Sequence, residues 1–345
     1  MRPALKAGLL PVWRDRGTLQ IGIDPRRAVA LEGLGPAAAV ISLLDGSRDR
    51  EAVIATAQSC GVSADAASRV LTLLAVAGML DDFPAQLHRS MPDELRARLS
   101  PELATASLAY RDCDGGARVL ARRRDAFVRV HGAGRTGANI ATLLAAAGIG
   151  RVACSDPVPA EPADLAPGGL LRADLGEPRA EGAARAVKRA APEAKTADFG
   201  AVPDLVILTS SYRSPDLTAG LQRDGVPHLA VRASEAIGVV GPLVLPGRSA
   251  CLRCLDLRKA DADPAWPKVL AQATCARLRP EACDIVLSAM TATLAATQAL
   301  AFIDQVLMPV AVNGTLEVVL PDWQWRRRTW SPHAACSCRS TGNRE

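Results

Sequence analysis

Phe127-Val128-Arg129-Val130-His131-Gly132-Ala133-Gly134-Arg135-Thr136-Gly137 joins a short β-branched run to a Gly-x-Gly-x-x-Gly turn. The apolar segment Ala138 to Ala147 follows at helical spacing. Val152-Ala153-Cys154-Ser155 then reads as a second strand, and Asp156 stands 19 residues past Gly137. Strand, glycine turn, helix, strand and acid, in that order, make a Rossmann-type nucleotide-binding unit. The glycines allow a tight turn, close approach of backbone to phosphate and close helix–strand packing, and the helix N-terminus offers unpaired N–H groups to an anion. The candidate nucleotide-binding residues of this stretch are Gly132, Gly134, Arg135, Gly137 and Asp156.

Outward from that unit, 345 residues give room for about two domains. Aromatics make up only 3%, so the core must be built from Ala, Val and Leu. A net charge of +5 with mixed signs gives no basic face, and no nucleic-acid partner is expected. Leu5 to Trp13 is too short and too interrupted, by Lys6 and Pro11, for a secretory signal. Val286 to Ile303 is broken by Ser288, Thr291, Thr293, Thr297 and Gln298, so no membrane span is expected. A cytoplasmic chain follows, and its nine cysteines are expected as thiols or metal ligands.

Before the glycine turn, residues 10–31 read as three short strands: Pro11-Val12-Trp13, Thr18 to Ile23, and Ala28-Val29-Ala30-Leu31. Three helices follow: Ala37 to Leu44, Arg50 to Ser59, and one capped by Ser63 with Val70, Leu73, Leu74, Ala77 and Leu80 at helical spacing. Three strands and three helices make a small winged-helix domain, expected over 1–84. A structural or dimerisation role suits these elements. DNA binding does not, because the last helix carries Arg69 but no cationic set to reach base edges. A strand edge beside an apolar helix groove suits an extended peptide added as a further strand. Residues 85–125 read as a helical connector that ends in Arg122-Arg123-Arg124. Such a run is ordinarily a solvated helix face; the functional alternative is contact with a nucleotide phosphate or a partner subunit.

Beyond Asp156, Pro157 to Leu171 is irregular, and a helix runs through Ala190. Strands are expected at Asp204 to Thr209, Pro227 to Val231, Val239 to Leu245 and Leu316 to Leu320, with a helix over 285–303. Cys251-Leu252-Arg253-Cys254 and Cys336-Ser337-Cys338 supply four thiolates, the number a closed tetrahedral zinc site needs. Unliganded thiols and a redox Cys-x-x-Cys are the alternatives, and His333 is a less suitable fourth ligand. Glu281 and Asp284 flank Cys283 and would raise its pKa, against a nucleophilic role for it; Cys275 likewise offers no sign of activation. Cys154 and His228 lie on apolar strands and read as core residues.

Two resemblances follow. Residues 10–83, through Ile41-Ser42-Leu43-Leu44-Asp45-Gly46-Ser47 and Leu74-Ala75-Val76-Ala77-Gly78-Met79-Leu80, resemble the PqqD-like precursor-peptide recognition domain of ribosomal peptide-modifying systems. That resemblance implies a leader-peptide site on the third strand (Ala28, Val29, Ala30, Leu31) and the third helix (Arg69, Leu73). Residues 126–338 resemble the ThiF-like superfamily, which includes ubiquitin-activating enzymes, and within it the leader-binding proteins of thiazole/oxazole-modified microcin biosynthesis. The glycine turn and the cysteine pairs carry that resemblance. So do Asp164-Leu165-Ala166-Pro167-Gly168-Gly169, Gly241 to Gly247, Asp263 to Pro267, Arg326-Arg327-Arg328 and Pro332-His333.

The fold class expected for 126–345 is therefore α/β, a Rossmann-like ThiF-type domain with a parallel-rich sheet and structural zinc on Cys251, Cys254, Cys336 and Cys338. Active members of the family carry Asn-Leu-x-Arg-Gln where this chain has Asp164-Leu165-Ala166-Pro167-Gly168. They hold magnesium with an aspartate where Thr209-Ser210-Ser211 stands, and they have a lysine where Arg179 stands, which adds Arg179 to the candidate nucleotide-binding residues. Hydroxyls replace a carboxylate poorly on a hard cation. The resemblance thus implies a non-catalytic scaffold that presents a precursor peptide to a separate YcaO-type cyclodehydratase, with residual ATP binding at most. The alternative is an ATP-dependent adenylyltransferase acting on a C-terminal carboxylate. A nicotinamide-dependent oxidoreductase is a third reading, opposed by the cysteine pairs and by the lack of a proton-transfer residue at the turn. A homodimer is common in the superfamily.

Overall fold

The structure, a computed structural model, describes residues 1–82, 91–110, 113–197, 200–209, 214–275 and 281–339. The chain divides into two compact units, Met1–Ala121 and Arg122–Glu345. The division falls four residues before the boundary expected between 125 and 126.

The first unit opens with β1 (Pro3–Leu5), β2 (Pro11–Trp13), β3 (Thr18–Ile21) and β4 (Val29–Glu32). The last three form an antiparallel sheet in the order β2-β3-β4, with Leu19 opposite Leu31 and Ile21 opposite Val29. The helix expected at 37–44 is wound as a 3-10 helix over Gly35–Leu43, burying Ala37, Val40 and Ile41. α1 (Arg50–Ser59) is capped by Asp49, whose carboxylate accepts from the Ala52 N–H at 2.8 Å. α2 (Ala64–Val76) is capped by Ser63, as its position ahead of the apolar run requires. It buries Ala67, Val70, Leu71 and Leu74.

That frame corrects the spacing read from sequence. Leu73 is 47% exposed, Ala77 is the C-cap, and Leu80 belongs to β5 (Leu80–Asp82), which pairs antiparallel with β1. Strand and helix faces close on one core that includes Leu19, Ile21, Leu31, Val40, Val53, Leu71, Leu74 and Leu80. α3 (Asp93–Tyr110) lies within the stretch 85–125 expected as a helical connector. It is fastened by Lys6, a buried residue whose Nζ donates to Asp81 Oδ1 at 2.7 Å and to the Ser107 hydroxyl at 2.7 Å. α4 (Ala117–Asp125) spans the division between the units.

The second unit is built on a seven-stranded sheet. In chain order its elements are β6 (Phe127–His131), α5 (Arg135–Ala146), β7 (Arg151–Ser155), α6 (Arg179–Ala190), β8 (Leu205–Leu208), α7 (Pro215–Arg223), β9 (His228–Ser234) and β10 (Ile237–Val244). Then come α8 (Leu252–Ala262), α9 (Trp266–Cys275), α10 (Ile285–Asp304), β11 (Gly314–Val319) and β12 (Gln324–Thr329). The sheet order is β12-β11-β10-β9-β8-β6-β7. β7, β6, β8 and β9 are mutually parallel, and β9 to β12 continue antiparallel.

β8 carries the continuous buried run of a strand covered on both faces. The main core joins these strands to α5 and α10 through Val128, Val130, Ile140, Leu144, Leu205, Ile207, Leu229, Ala292, Ala295 and Ala299. α10 is long and apolar enough by composition to cross a membrane, yet one face is embedded in this core. β7 lies on one side of β6 and β8 on the other. The turn after β6 therefore sits at a topological switch point, where open α/β sheets form a crevice at the carboxyl ends of their strands.

Candidate functional site

The glycines at the end of β6 have steric reasons to be there. Gly132 adopts φ +90°, and its N–H donates to the Ser155 carbonyl at 3.0 Å, locking the turn to β7. A Cβ on Gly137 would lie 1.8 Å from the Gly132 oxygen, so the helix can pack this closely only on glycine. Gly134 is the N-cap of α5 and offers no side-chain cap, which leaves the first N–H groups of the helix pointing out of the turn.

Asp156 follows β7 with its side chain fully buried. The Ala133 N–H donates to its Oδ2 at 2.8 Å and the Val158 N–H to its Oδ1 at 3.1 Å. The acid expected to bind a nucleotide thus ties the glycine turn to the segment after β7. Arg179, the first residue of α6, donates from Nε to Asp164 Oδ2 at 2.7 Å, and its other arm lies 3.8 Å from Asp156. Arg135 is turned to backbone: it donates to the Ala163 carbonyl at 2.9 Å and to the Cys283 carbonyl at 3.2 Å. Both arginines expected to address a ligand hold the loops around the turn instead. Glu281 stands within electrostatic reach of Arg179, Asp164 and Arg135. Desolvation raises its carboxyl, the arginines pull it down and Asp164 pushes it up.

The place expected to lack a magnesium carboxylate has Thr209. It is buried, and its hydroxyl donates to the His131 carbonyl at 3.0 Å; Ser210 and Ser211 lie outside the described residues. Sequence reasoning missed the role of Asp164. It quoted the residue as part of a family motif and for the amide it replaces, although its charge opposite Arg179 was a usable signal. An open pocket of about 540 Å³, lined by Val202, Asp204, Asp224 and Phe302 among others, lies away from the glycine turn, whose residues do not line it.

The four cysteines come together. Cys251 is the N-cap of α8 and Cys254 sits in its first turn, while Cys336 and Cys338 arrive from the C-terminal segment. All four are buried, and their sulfurs lie within 4.8 Å of one another. The Cys251–Cys254, Cys251–Cys336 and Cys254–Cys338 sulfur separations are 3.7, 3.6 and 3.5 Å. Four thiolates about 2.3 Å from a tetrahedral zinc ion would stand about 3.8 Å apart, so the donor set fits such an ion. Burial raises the Cys251 thiol and pushes Cys338 up to about 12. At Cys254 burial also opposes ionisation, but backbone hydrogen bonds involving His333 and Cys251, together with those to the Cys338 and Cys336 thiols, outweigh it and bring the thiol to about 7. His333 does not join the cluster: its Nε2 pairs with Asp261 at 2.8 Å.

The remaining residues singled out from sequence have structural partners. Burial, then Asp156, pushes Cys154 to about 12. Burial pushes Cys283 to about 11, with Glu281 and Asp284 adding to it against Arg135. The Cys275 side chain lies outside the described residues. His228 is buried and donates from Nδ1 to the Val226 carbonyl at 2.9 Å. Arg123 departs from the solvated face expected of the arginine run: it is buried and makes a two-pronged pair with Asp304 at 2.8 and 2.7 Å. Arg122 donates to the Asp304 carbonyl, and only Arg124 of the three is exposed.

In the first unit, β4 is an outer strand of its sheet, with Ala30 exposed and Leu31 buried. On α2, Arg69 is exposed, Leu73 is 47% exposed and Val76 is 85% exposed. These three lie on one helix face by their spacing. Val76 escaped the sequence reading because it falls in the run Leu74 to Leu80, taken there as a closing motif.

Residues 111–206, which contain the glycine turn, match the ThiF family model. No curated protein sequence matches the chain. Among solved structures, the microcin C7 biosynthetic enzyme MccB in complex with N-formylated MccA is similar over 98% of this chain and 100% of that one, at 17% identity and a TM-score of 0.70. MccB of E. coli crystallised with ATP is similar over 98% of this chain and 99% of that one, at 18% identity and a TM-score of 0.70. PaaA is similar over 75% of this chain and 90% of its own, at 17% identity and a TM-score of 0.62. At these identities the likeness is one of fold.

Proposed function

We propose that this chain is a non-catalytic binding partner in ribosomal peptide modification. Its first unit takes up the leader of a precursor peptide, and the chain brings that peptide to a separate YcaO-type cyclodehydratase, which closes Cys, Ser or Thr side chains into azolines. One observation carries the reading: Arg179 is committed to Asp164 at the glycine turn, and no carboxylate stands at Thr209. A site that transfers adenylate must stabilise growing charge on phosphate oxygens, with cations free to follow it and a metal held by hard ligands. Here one arginine is paired with a carboxylate and the other is turned to carbonyl groups.

The leader would lie as a fourth strand along β4, at Ala28, Val29, Ala30 and Leu31, with its side chains against Arg69, Leu73 and Val76 of α2. An outer strand with Ala30 exposed, and a helix face with Leu73 and Val76 exposed, support that placement. MccB, similar over 98% of this chain, has been crystallised in complex with N-formylated MccA. Zinc on the four cysteines would be structural, since all four positions are filled by thiolates and none remains for substrate.

Leader binding is tested by fluorescence anisotropy with labelled precursor peptides. Its consequence is tested by reconstituting the cyclodehydratase with and without this chain, reading loss of one water per ring by mass spectrometry. Equal cyclisation in both reactions would remove the scaffold reading. The second reading, an adenylyltransferase, draws on the crystals of MccB with ATP. Magnesium-dependent pyrophosphate–ATP exchange by the purified chain would put it first.

A further inference from the structure

The geometry at the glycine turn points to a built-in counter-anion: we infer that Asp164 occupies the place a nucleotide phosphate would take, and with Arg179 closes the turn to phosphates. The inference deepens the reading of this turn as catalytically silent and rests on it.

Position comes first. A Cβ built on Gly134 would meet Asp164 Oδ1 at 3.2 Å and Arg179 Nη1 at 3.8 Å. The carboxylate–guanidinium pair therefore lies directly against the glycine whose bare backbone would admit a phosphate. That glycine also caps α5, a twelve-residue helix whose N-terminal dipole favours a negative group there. A carboxylate satisfies the same field as a phosphate and needs no ligand to arrive.

Asp164 is also held in place. Its Oδ2 accepts from Arg179 Nε at 2.7 Å and from the Glu161 N–H at 2.8 Å, while Oδ1 is the oxygen that faces Gly134. The residue closes the 3-10 turn Pro162–Asp164 and is 7% exposed. Arg179 is 13% exposed on its side chain, and the Asp156 carboxylate beneath it has no exposed surface.

Charge adds to position. Among the described residues, Asp156, Asp164 and Glu281 stand against Arg179 and Arg135, three acids and two bases. A polyphosphate approaching this turn would have to displace Asp164 from Arg179 and then lie beside the carboxylate it displaced. In a partly buried site two like charges a few ångströms apart repel strongly enough to decide binding. The pair thus sets what the cleft refuses, and a neutral ligand would escape that penalty.

The test compares the full chain with Asp164→Asn and Asp164→Ala by calorimetric titration of ATP, AMP and adenosine, with and without magnesium. Asparagine keeps the volume and an oxygen for the Glu161 N–H, so D164N decides if D164A does not fold. Each variant is first matched to the parent in melting temperature and metal content. The expected result is at least a tenfold gain in ATP affinity for D164N over the parent, a smaller gain for AMP and none for adenosine. Adding Arg179→Ala to D164N should abolish the gain, because the freed guanidinium is then missing. Parent protein that binds ATP as tightly as D164N overturns the inference, as does a folded D164N with no gain or an equal gain for adenosine. Leader affinity and azoline formation are read in the same samples. They test the scaffold reading and do not bear on the role of Asp164.

Discussion

Replacing Arg123 by Met tests whether the arginine run is a clamp inside the second unit or a cationic surface. The guanidinium bridges Asp304, at the C-terminal end of α10, through two bonds of 2.8 and 2.7 Å, and donates a third to the Ala147 carbonyl at 3.1 Å. Asp304 has only 1% of its side chain exposed. Met leaves that carboxylate buried without its counter-ion. Breaking one side of such a pair costs about 3–5 kcal/mol, much more than the pair contributes against an apolar replacement of similar volume. The double variant Arg123→Met/Asp304→Leu should therefore recover most of the loss. Arg124, exposed on the same helix, should move stability by no more than about 0.5 kcal/mol when changed to Ala.

Urea unfolding followed by tryptophan fluorescence reports this unit, because four of the five tryptophans, Trp266, Trp323, Trp325 and Trp330, lie in it. Midpoints and slopes convert to free energy by linear extrapolation. The reasoning fails if Arg123→Met costs no more than Arg124→Ala. It fails equally if the double variant is as unstable as either single one.

Three further outcomes follow from the same structure. The purified chain should carry about one metal ion per molecule by elemental analysis, and Cys254→Ser or a strong chelator should remove it and lower the melting temperature by about 6–12 °C, the equivalent of about 3 kcal/mol; unchanged melting after complete removal would contradict a structural site. Burial holds the His228 imidazole below its ordinary pKa of 6.5, so the unfolded chain takes up the proton first as pH falls. Stability should drop from about pH 6.5 downward, and His228→Phe should show a shallower drop in thermal melts between pH 7 and 5; parallel slopes would remove His228 as the cause. In the first unit, Lys6→Met strands the buried Asp81 beside Ser107 and should cost about 3–5 kcal/mol by proteolytic susceptibility or hydrogen exchange, with a smaller loss when Asp81 is made Asn as well; a single variant as resistant as the parent would show the network to be slack.

What was legible in the sequence was what is local or rare. Phe127 to Asp156 places strand, glycines, helix and acid within thirty residues, so each constraint falls inside one supersecondary unit. The cysteines were legible over some eighty residues because paired thiols are uncommon and a tetrahedral ion needs four. The helix frame of α2 was half legible. Val70 and Leu74 belong to the buried face, but Leu73 lies about 100° from its neighbour on the helix and turns outward with Val76. Arg123 was not legible at all. Its burial depends on Asp304, 181 positions away, being delivered by the fold to the end of α4.

Asp164 shows why a motif position cannot be read by subtraction. Scored against an asparagine, it is a missing amide, and the inference from that alone is weaker binding. In the fold it is a charge, placed by its own 3-10 turn over Gly134 and neutralised by the first residue of α6. A missing group and an added opposing group make different predictions. Loss of an amide leaves a residual phosphate site that a higher ATP concentration fills. An installed carboxylate makes the same turn repel phosphate until the charge is removed. The glycines would persist in either case, because Gly137 is required by the Gly132 carbonyl 1.8 Å from where its Cβ would be, with or without a nucleotide. Retention of the glycine turn is therefore evidence for the packing of α5 on β6. Evidence for a ligand has to come from the charges that line the turn.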